Sequence, residues 1–194
     1  SDEMILTLVI ASAAYAGTDA AICEGEMYTL AEATASNYIS ILWTTTGTGV
    51  FDFPDILNPT YFPSAGDIIN GGADLILTAA SAGTCPAASD TLTLQITGAP
   101  VVNAGVDSAL CTSEVSYTLQ GIAGNFSSVV WTSSGTGTFD DNSLLHAIYT
   151  PSTADFNAGW VILTLTAIGN GACGEVSDGM TLSLIIAAMA DAGD

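Results

Sequence analysis

The chain has 194 residues, with 14 Asp and 6 Glu but no Lys and no Arg, giving a formal net charge of −20. Without basic side chains it cannot neutralise phosphates, which excludes nucleic acid and anionic membrane surfaces as direct partners. Ion pairs are confined to His146 and a free amino terminus, yet 49% of the residues are hydrophobic, too many for a disordered acidic segment.

The chain opens on Ser1-Asp2-Glu3, which lacks the basic start of a signal peptide and suits a mature segment of a secreted protein. Met4, Ile5, Leu6, Leu8 and Ile10 then form an apolar, β-prone stretch. Alone in water such a strand is an aggregation hazard, so something must cover it. Two origins are open: the last strand of a repeat that precedes this segment in a longer array, or a donated assembly strand that completes a neighbouring subunit.

From Ala16-Gly17 onward an 88-residue period organises everything. Ala16-Gly17 recurs as Ala104-Gly105, Cys23 as Cys111, Trp43 as Trp131, Gly47-Thr48-Gly49 as Gly135-Thr136-Gly137, Pro63-Ser64 as Pro151-Ser152 and Cys85 as Cys173. Self-similarity at a fixed period marks a tandem array. The expected organisation is 1–13 as the last strand of a preceding repeat or a donated strand, 14–99 as repeat 1, 100–188 as repeat 2, and 189–194 as the start of a following one. Residues 1–10 match 177–186 without a gap, in keeping with that division.

Within each repeat, short strands alternate with turn signals. Met27 to Ala31 reads as a strand, and Ile39 to Thr45 as the central strand carrying Trp43, with Ser127 to Ser133 and Trp131 as its counterpart. Gly47-Thr48-Gly49 and Gly135-Thr136-Gly137 read as hairpin turns into Val50-Phe51 and Thr138-Phe139. A strand ending at Pro63 or Pro151 follows, then the most apolar strand, Leu75 to Ala80 or Val161 to Ala167. Last come Leu92, Leu94 and Ile96, or Leu182, Leu184 and Ile186, in period-two alternation. No helical periodicity of useful length is visible. About seven strands in 88 residues predict an all-β chain of tandem immunoglobulin-like antiparallel β-sandwiches. Gly98-Ala99-Pro100 is too short for a flexible linker.

Cys23 and Cys85 lie 62 residues apart, as do Cys111 and Cys173. One pair per repeat at one spacing reads as one intradomain disulfide each, in an oxidising compartment. Catalysis fails on inventory: His146 is the one histidine and aligns with Asn58, and no Lys or Arg can serve as base or anion clamp. The chain is read as a non-enzyme that needs no cofactor. Calcium is the one ion to weigh: Asp52 recurs as Asp140, and the clusters Asp52/Asp55 and Asp140/Asp141 lie in a turn region where hard oxygen ligands could gather. No dedicated calcium-loop spacing is present, so capping of backbone N–H groups by these carboxylates is the preferred reading.

The string Ala16-Gly17-Thr18-Asp19, Ile22-Cys23, Leu42-Trp43-Thr44, Gly47 to Phe51, Asn58 to Asp67 and Ser89 to Leu94 resembles the Ig-like or PKD-like tandem repeats of very long secreted Bacteroidota surface proteins. The second copy departs from it at His146-Ala147. The resemblance implies an extracellular, cell-surface location and a role as adhesin, stalk or fibre, with no catalytic residue. It also brings O-glycan sites into view at Thr91 and Ser108, each after an Asp and before an apolar residue. The expected function is a structural building block of an extracellular fibre, stalk or filament, whose partners are copies of itself or adjacent repeats of the same chain. The rival is a calcium-dependent adhesion or glycan-binding module of a surface adhesin.

Overall fold

The computed structural model describes residues 9–82 and 85–187. The chain divides between Gly98 and Ala99 into two compact units. Unit 1 holds β1 (Ala13–Tyr15), β2 (Ala20–Cys23), β3 (Tyr28–Thr29), β4 (Thr34–Ser36), β5 (Tyr38–Thr45), β6 (Val50–Phe51), β7 (Thr60–Phe62), α1 (Ala65–Asn70), β8 (Gly72–Ser81) and β9 (Ala88–Thr97). Unit 2 repeats the series. Its strands are β10 (Val101–Asn103), β11 (Ser108–Cys111), β12 (Tyr117–Thr118), β13 (Ile122–Gly124), β14 (Phe126–Ser133), β15 (Thr138–Phe139), β16 (Ile148–Thr150), β17 (Trp160–Gly169) and β18 (Glu175–Ile185), with α2 (Thr153–Ala158) between β16 and β17.

In unit 1 the four-stranded sheet β2-β9-β8-β5 faces the three-stranded sheet β3-β7-β6, and β1 pairs with β4. Unit 2 has the same arrangement. This is the expected Ig-like sandwich, cut more finely than expected, with nine short strands per unit among the described residues. Strict period-two alternation drives it: Ala73, Leu75, Leu77 and Ala79 of β8 point inward, as do Leu92, Leu94 and Ile96 of β9. Trp43 sits between the layers and donates its indole N–H to the Leu57 carbonyl at 3.3 Å. Trp131 donates to the Leu144 carbonyl at 3.1 Å. Phe51 packs between Trp43 and Tyr61, with ring centroids 5.9 and 4.9 Å away.

Two ladders depart from antiparallel pairing. Strand β2 runs parallel to β9, from Ala20 opposite Leu94 to Cys23 opposite Thr97, and β11 runs parallel to β18 in the same register. This geometry overturns the expected intradomain disulfides. Cys23 lies beside the end of β9, whereas Cys85 lies in the loop that leads into its start. Nine residue steps of strand separate the two sites by about 30 Å, far beyond the roughly 7 Å Cα reach of a disulfide. The same holds for Cys111, opposite Ile185, and Cys173, which precedes β18. Accordingly Cys85 and Cys111 carry free thiols, and Cys23 and Cys173 are disulfide-bonded.

The short helices α1 and α2 are a second departure from the expectation. Each opens on a capping box: the Ser64 hydroxyl accepts from Asp67 N–H while the Asp67 carboxylate accepts from Ser64 N–H, and Ser152 and Asp155 do the same. Each closes on a left-handed glycine, Gly71 (φ 77°) or Gly159 (φ 83°). A Cβ on Gly71 would meet nothing within 4 Å, so its substitution carries a purely conformational penalty. Gly71→Ala is expected to destabilise unit 1 by about 1 kcal/mol, read as a shift in its chemical denaturation midpoint with an unchanged slope.

Met4, Ile5, Leu6 and Leu8 of the expected assembly strand lie outside the described residues, as does 189–194. Ile10 is described: it is 72% exposed and belongs to no strand.

Candidate functional site

Each unit is organised around one buried carboxylate. Asp67 is fully buried and Asp155 nearly so, in a chain with no basic residue to pair them. Neutral dipoles take the place of a counter-ion. Asp67 Oδ1 accepts from Thr48 N–H at 2.8 Å, and Oδ2 accepts from Gly49 N–H at 2.9 Å, Ser64 N–H at 2.9 Å and the Tyr61 hydroxyl at 2.8 Å. Asp155 repeats the set with Thr136, Gly137, Ser152 and Tyr149 at 2.8, 2.8, 2.9 and 2.8 Å. Burial pushes the Asp67 carboxyl up. The N–H groups of Ser64 and Thr48 and the Tyr61 hydroxyl outweigh it and hold the group below its usual range. Asp155 behaves alike for the same reasons. Tyr61 is raised by its burial and by the carboxylate beside it.

The Gly-Thr-Gly motif acquires its meaning here. It is not a hairpin turn, because β5 pairs with β8 whereas β6 pairs with β7, so the segment carries the chain from one sheet to the other. On the way it wraps the carboxylate. A Cβ on Gly47 would collide with Asp67 Oδ1, and one on Gly135 with Asp155 Oδ1. Strand, crossover and helix are thus tied at one point by Asp67, which α1 presents from its first turn.

The other carboxylates that recur with the 88-residue period are also taken up by backbone N–H groups. Asp90 binds Ala16 N–H at 2.7 Å and Asp178 binds Ala104 N–H at 2.8 Å. Asp19 binds Thr93 N–H at 2.9 Å and Asp107 binds Thr181 N–H at 2.8 Å, fixing the start of β2 and β11 against the last strand. Asp52 accepts from Phe53 and Thr60 N–H at 2.7 and 2.8 Å, and Asp140 from Asp141 and Ile148 N–H, both at 2.7 Å. The Ser143 hydroxyl and N–H hold the Asp141 carboxyl below its usual range, at 2.6 and 2.9 Å. Asp55 is exposed. Among the described residues no three acidic, His or Cys side chains converge as metal ligands.

No protein-family model matches the chain, and no curated protein matches it. Solved structures do. The chain is similar to Drosophila N-cadherin EC1-4, with a TM-score of 0.54 and 16% identity over 92% of this chain and 50% of that one. It is also similar to a three-domain Ig fragment of titin in an E-to-A mutated variant, with a TM-score of 0.49 and 15% identity over 87% of this chain and 63% of that one. The chain therefore spans about half the length of the N-cadherin fragment. The likeness is one of fold.

The remaining candidate positions are spread over the surface. Thr91 is exposed on β9 and Ser108 is half-buried at the start of β11. His146 is exposed, at the position where Asn58 donates its amide to the Leu30 carbonyl at 2.6 Å. Among the described residues, no helix is long and apolar enough to cross a membrane. Asp67 and Asp155, the residues that organise each unit, were not singled out as site residues in the sequence. Their signal was present: Ser-x-x-Asp followed by Gly at both copies is the pattern of a capped short helix.

Proposed function

We propose that the chain is a structural building block of an extracellular fibre, stalk or filament made of tandem Ig-like repeats. The observation that carries this reading is the use made of the carboxylates that recur with the period: Asp19, Asp52, Asp67 and Asp90, with their counterparts in unit 2, each bind backbone N–H groups of their own unit. Groups that a recognition or catalytic site would point outward are spent on holding strands together. The oxidised Cys23 and Cys173 fit an oxidising, extracellular setting, and the net charge of −20 keeps such units soluble at high density. The natural partners are then further copies of the same repeat.

Single-molecule extension of the chain under reducing conditions tests this. The expected record has two unfolding events with equal gains in contour length, unchanged in force when EDTA is added. Unfolding forces that collapse in EDTA would overturn the plain structural reading and transfer the chain to the calcium-dependent adhesion class.

A further inference from the structure

The two cysteines of the repeat occupy opposite ends of each unit. The first kind, Cys23 and Cys111, closes the strand beside the chain's trailing end: Cys111 lies opposite Ile185, and Thr112 N–H donates to the Ile185 carbonyl at 2.9 Å. The second kind, Cys85 and Cys173, lies by the leading end. The Cys85 thiol is 3.8 Å from the Val9 carbonyl, and nearby Ser12 is bonded to Ala79, Ser81 and Ala88. The oxidation states follow a pattern. The two disulfide-bonded cysteines, Cys23 and Cys173, are one of each kind and belong to different units. The two free thiols, Cys85 and Cys111, are again one of each kind. Both positions of the repeat are therefore disulfide-forming positions, each oxidised in one copy, and neither can use the other cysteine of its own unit. Cys85 and Cys111 are both partly exposed.

We propose that Cys85 and Cys111 are complementary ends of a head-to-tail linkage, in which Cys111 of one copy of the chain forms a disulfide with Cys85 of the next. The inference rests on the structural-block reading above and adds the covalent chemistry that joins the blocks. Two protein thiols meet a small-molecule disulfide. The thiolate of one attacks a sulfur of the small disulfide, breaking its S–S bond and releasing one small thiol. The thiolate of the other then attacks the mixed disulfide and releases the second. The protein sulfurs are oxidised by two electrons, the small disulfide is reduced to two thiols, and both protons end on those thiols. Because each copy carries one sulfur of each kind, the linkage is heterologous and each added member leaves a free sulfur for the next.

The test incubates the full chain with oxidised glutathione and resolves the products without reductant. The expected result is a ladder of multiples of the chain mass that collapses with dithiothreitol. Its formation should be faster at high salt, where repulsion between chains of charge −20 is screened. Cys85→Ser alone and Cys111→Ser alone should lose the ladder, while an equimolar mixture of the two should give a dimer. A protease that cuts at acidic residues should release a Cys85–Cys111 cross-linked peptide from it; trypsin has no site in this chain. Alkylating the folded, unsubstituted chain before adding the oxidant removes both thiols without mutation and should also abolish the ladder. Absence of a ladder from the unmodified chain would overturn the proposal. So would single variants that dimerise as well as their mixture, or cross-linked peptides joining like to like. None of these outcomes touches the two-event extension record, so the linkage can fail while the structural reading stands.

Discussion

Asp67→Asn should destabilise unit 1 by about 3 to 5 kcal/mol, and Asp155→Asn should do the same to unit 2. The carboxylate accepts four hydrogen bonds from Thr48, Gly49, Ser64 and Tyr61. An amide has one oxygen, and its NH2 group would face at least one of those donors head on. Bonds to a charged acceptor are worth roughly 1.5 to 3 kcal/mol each, and a buried donor left unmatched adds its desolvation cost. For a unit of this size the melting temperature should fall on the order of 15 °C or more, measured by near-ultraviolet circular dichroism. A fall of only a few degrees would show that the crossover holds without its carboxylate.

The same substitution isolates a pH effect that the intact chain hides. The folded-state titration of Asp67 and Asp155 is depressed. The stability they contribute is thus present above the unfolded carboxylate value of about 4 and is lost as pH falls through their folded values. Protonating the surface acids acts in the opposite sense, because it relieves the repulsion of a chain of charge −20. The difference in stability between the unsubstituted chain and a double Asn variant should therefore shrink below about pH 4, whatever the two curves do separately. A difference that stays constant down to pH 2 would count against the carboxylate as the source.

The second large effect is expected from Trp131→Ala, at about 3 to 5 kcal/mol. Trp131 is fully buried among Leu163, Leu165, Leu182 and Tyr149, and it satisfies the Leu144 carbonyl. Its removal leaves a cavity in one core and takes away one of the two hydrogen bonds that the Leu144 carbonyl accepts, the other coming from Ala147 N–H at 3.2 Å. The core around Trp43 is a separate cluster. The variant should accordingly melt in two steps, with unit 2 first and Trp43 reporting the later one. A single shared transition at lowered temperature would show that the two cores unfold as one.

How far the sequence carried the fold depends on what a period can encode. The long strands were legible in two ways: β9 and β18 alternate apolar and polar residues toward their ends, as a half-buried strand does, whereas β8 and β17 carry the apolar runs Leu75 to Ala80 and Val161 to Ala167 bounded by turn signals. Trp43 and Trp131 were legible as core because each sits in a β-rich central strand. The partners of the cysteines were not. Equal spacing in two copies shows that equivalent cysteines have equivalent surroundings, and it is satisfied equally by pairing within a copy and by pairing beyond it. The deciding fact is the parallel alignment of β2 with β9, a contact across more than 70 residues that no local pattern records. Helix α1 was missed for another reason. At six residues it is too short for helical periodicity, and only its caps, Ser64 with Asp67 and then Gly71, could have revealed it. For the recurring aspartates, capping was the preferred reading and calcium the alternative, because a carboxylate in a turn looks the same in sequence whether it faces a cation or an N–H group.

The parallel strand pair also decides how a unit meets a load. Tension that enters at the leading end pulls on Ala20 in one direction, and tension that leaves at the trailing end pulls on Thr97 in the other. Because β2 and β9 lie side by side and point the same way, the pull runs along the strands and not across them. The pairs from Ala20 with Leu94 to Cys23 with Thr97 must then slide together. In a terminal antiparallel pair the same pull would open hydrogen bonds one at a time, like a zip. Here the weakest direction of a sheet, the peeling of an edge, is turned away from the axis of the force.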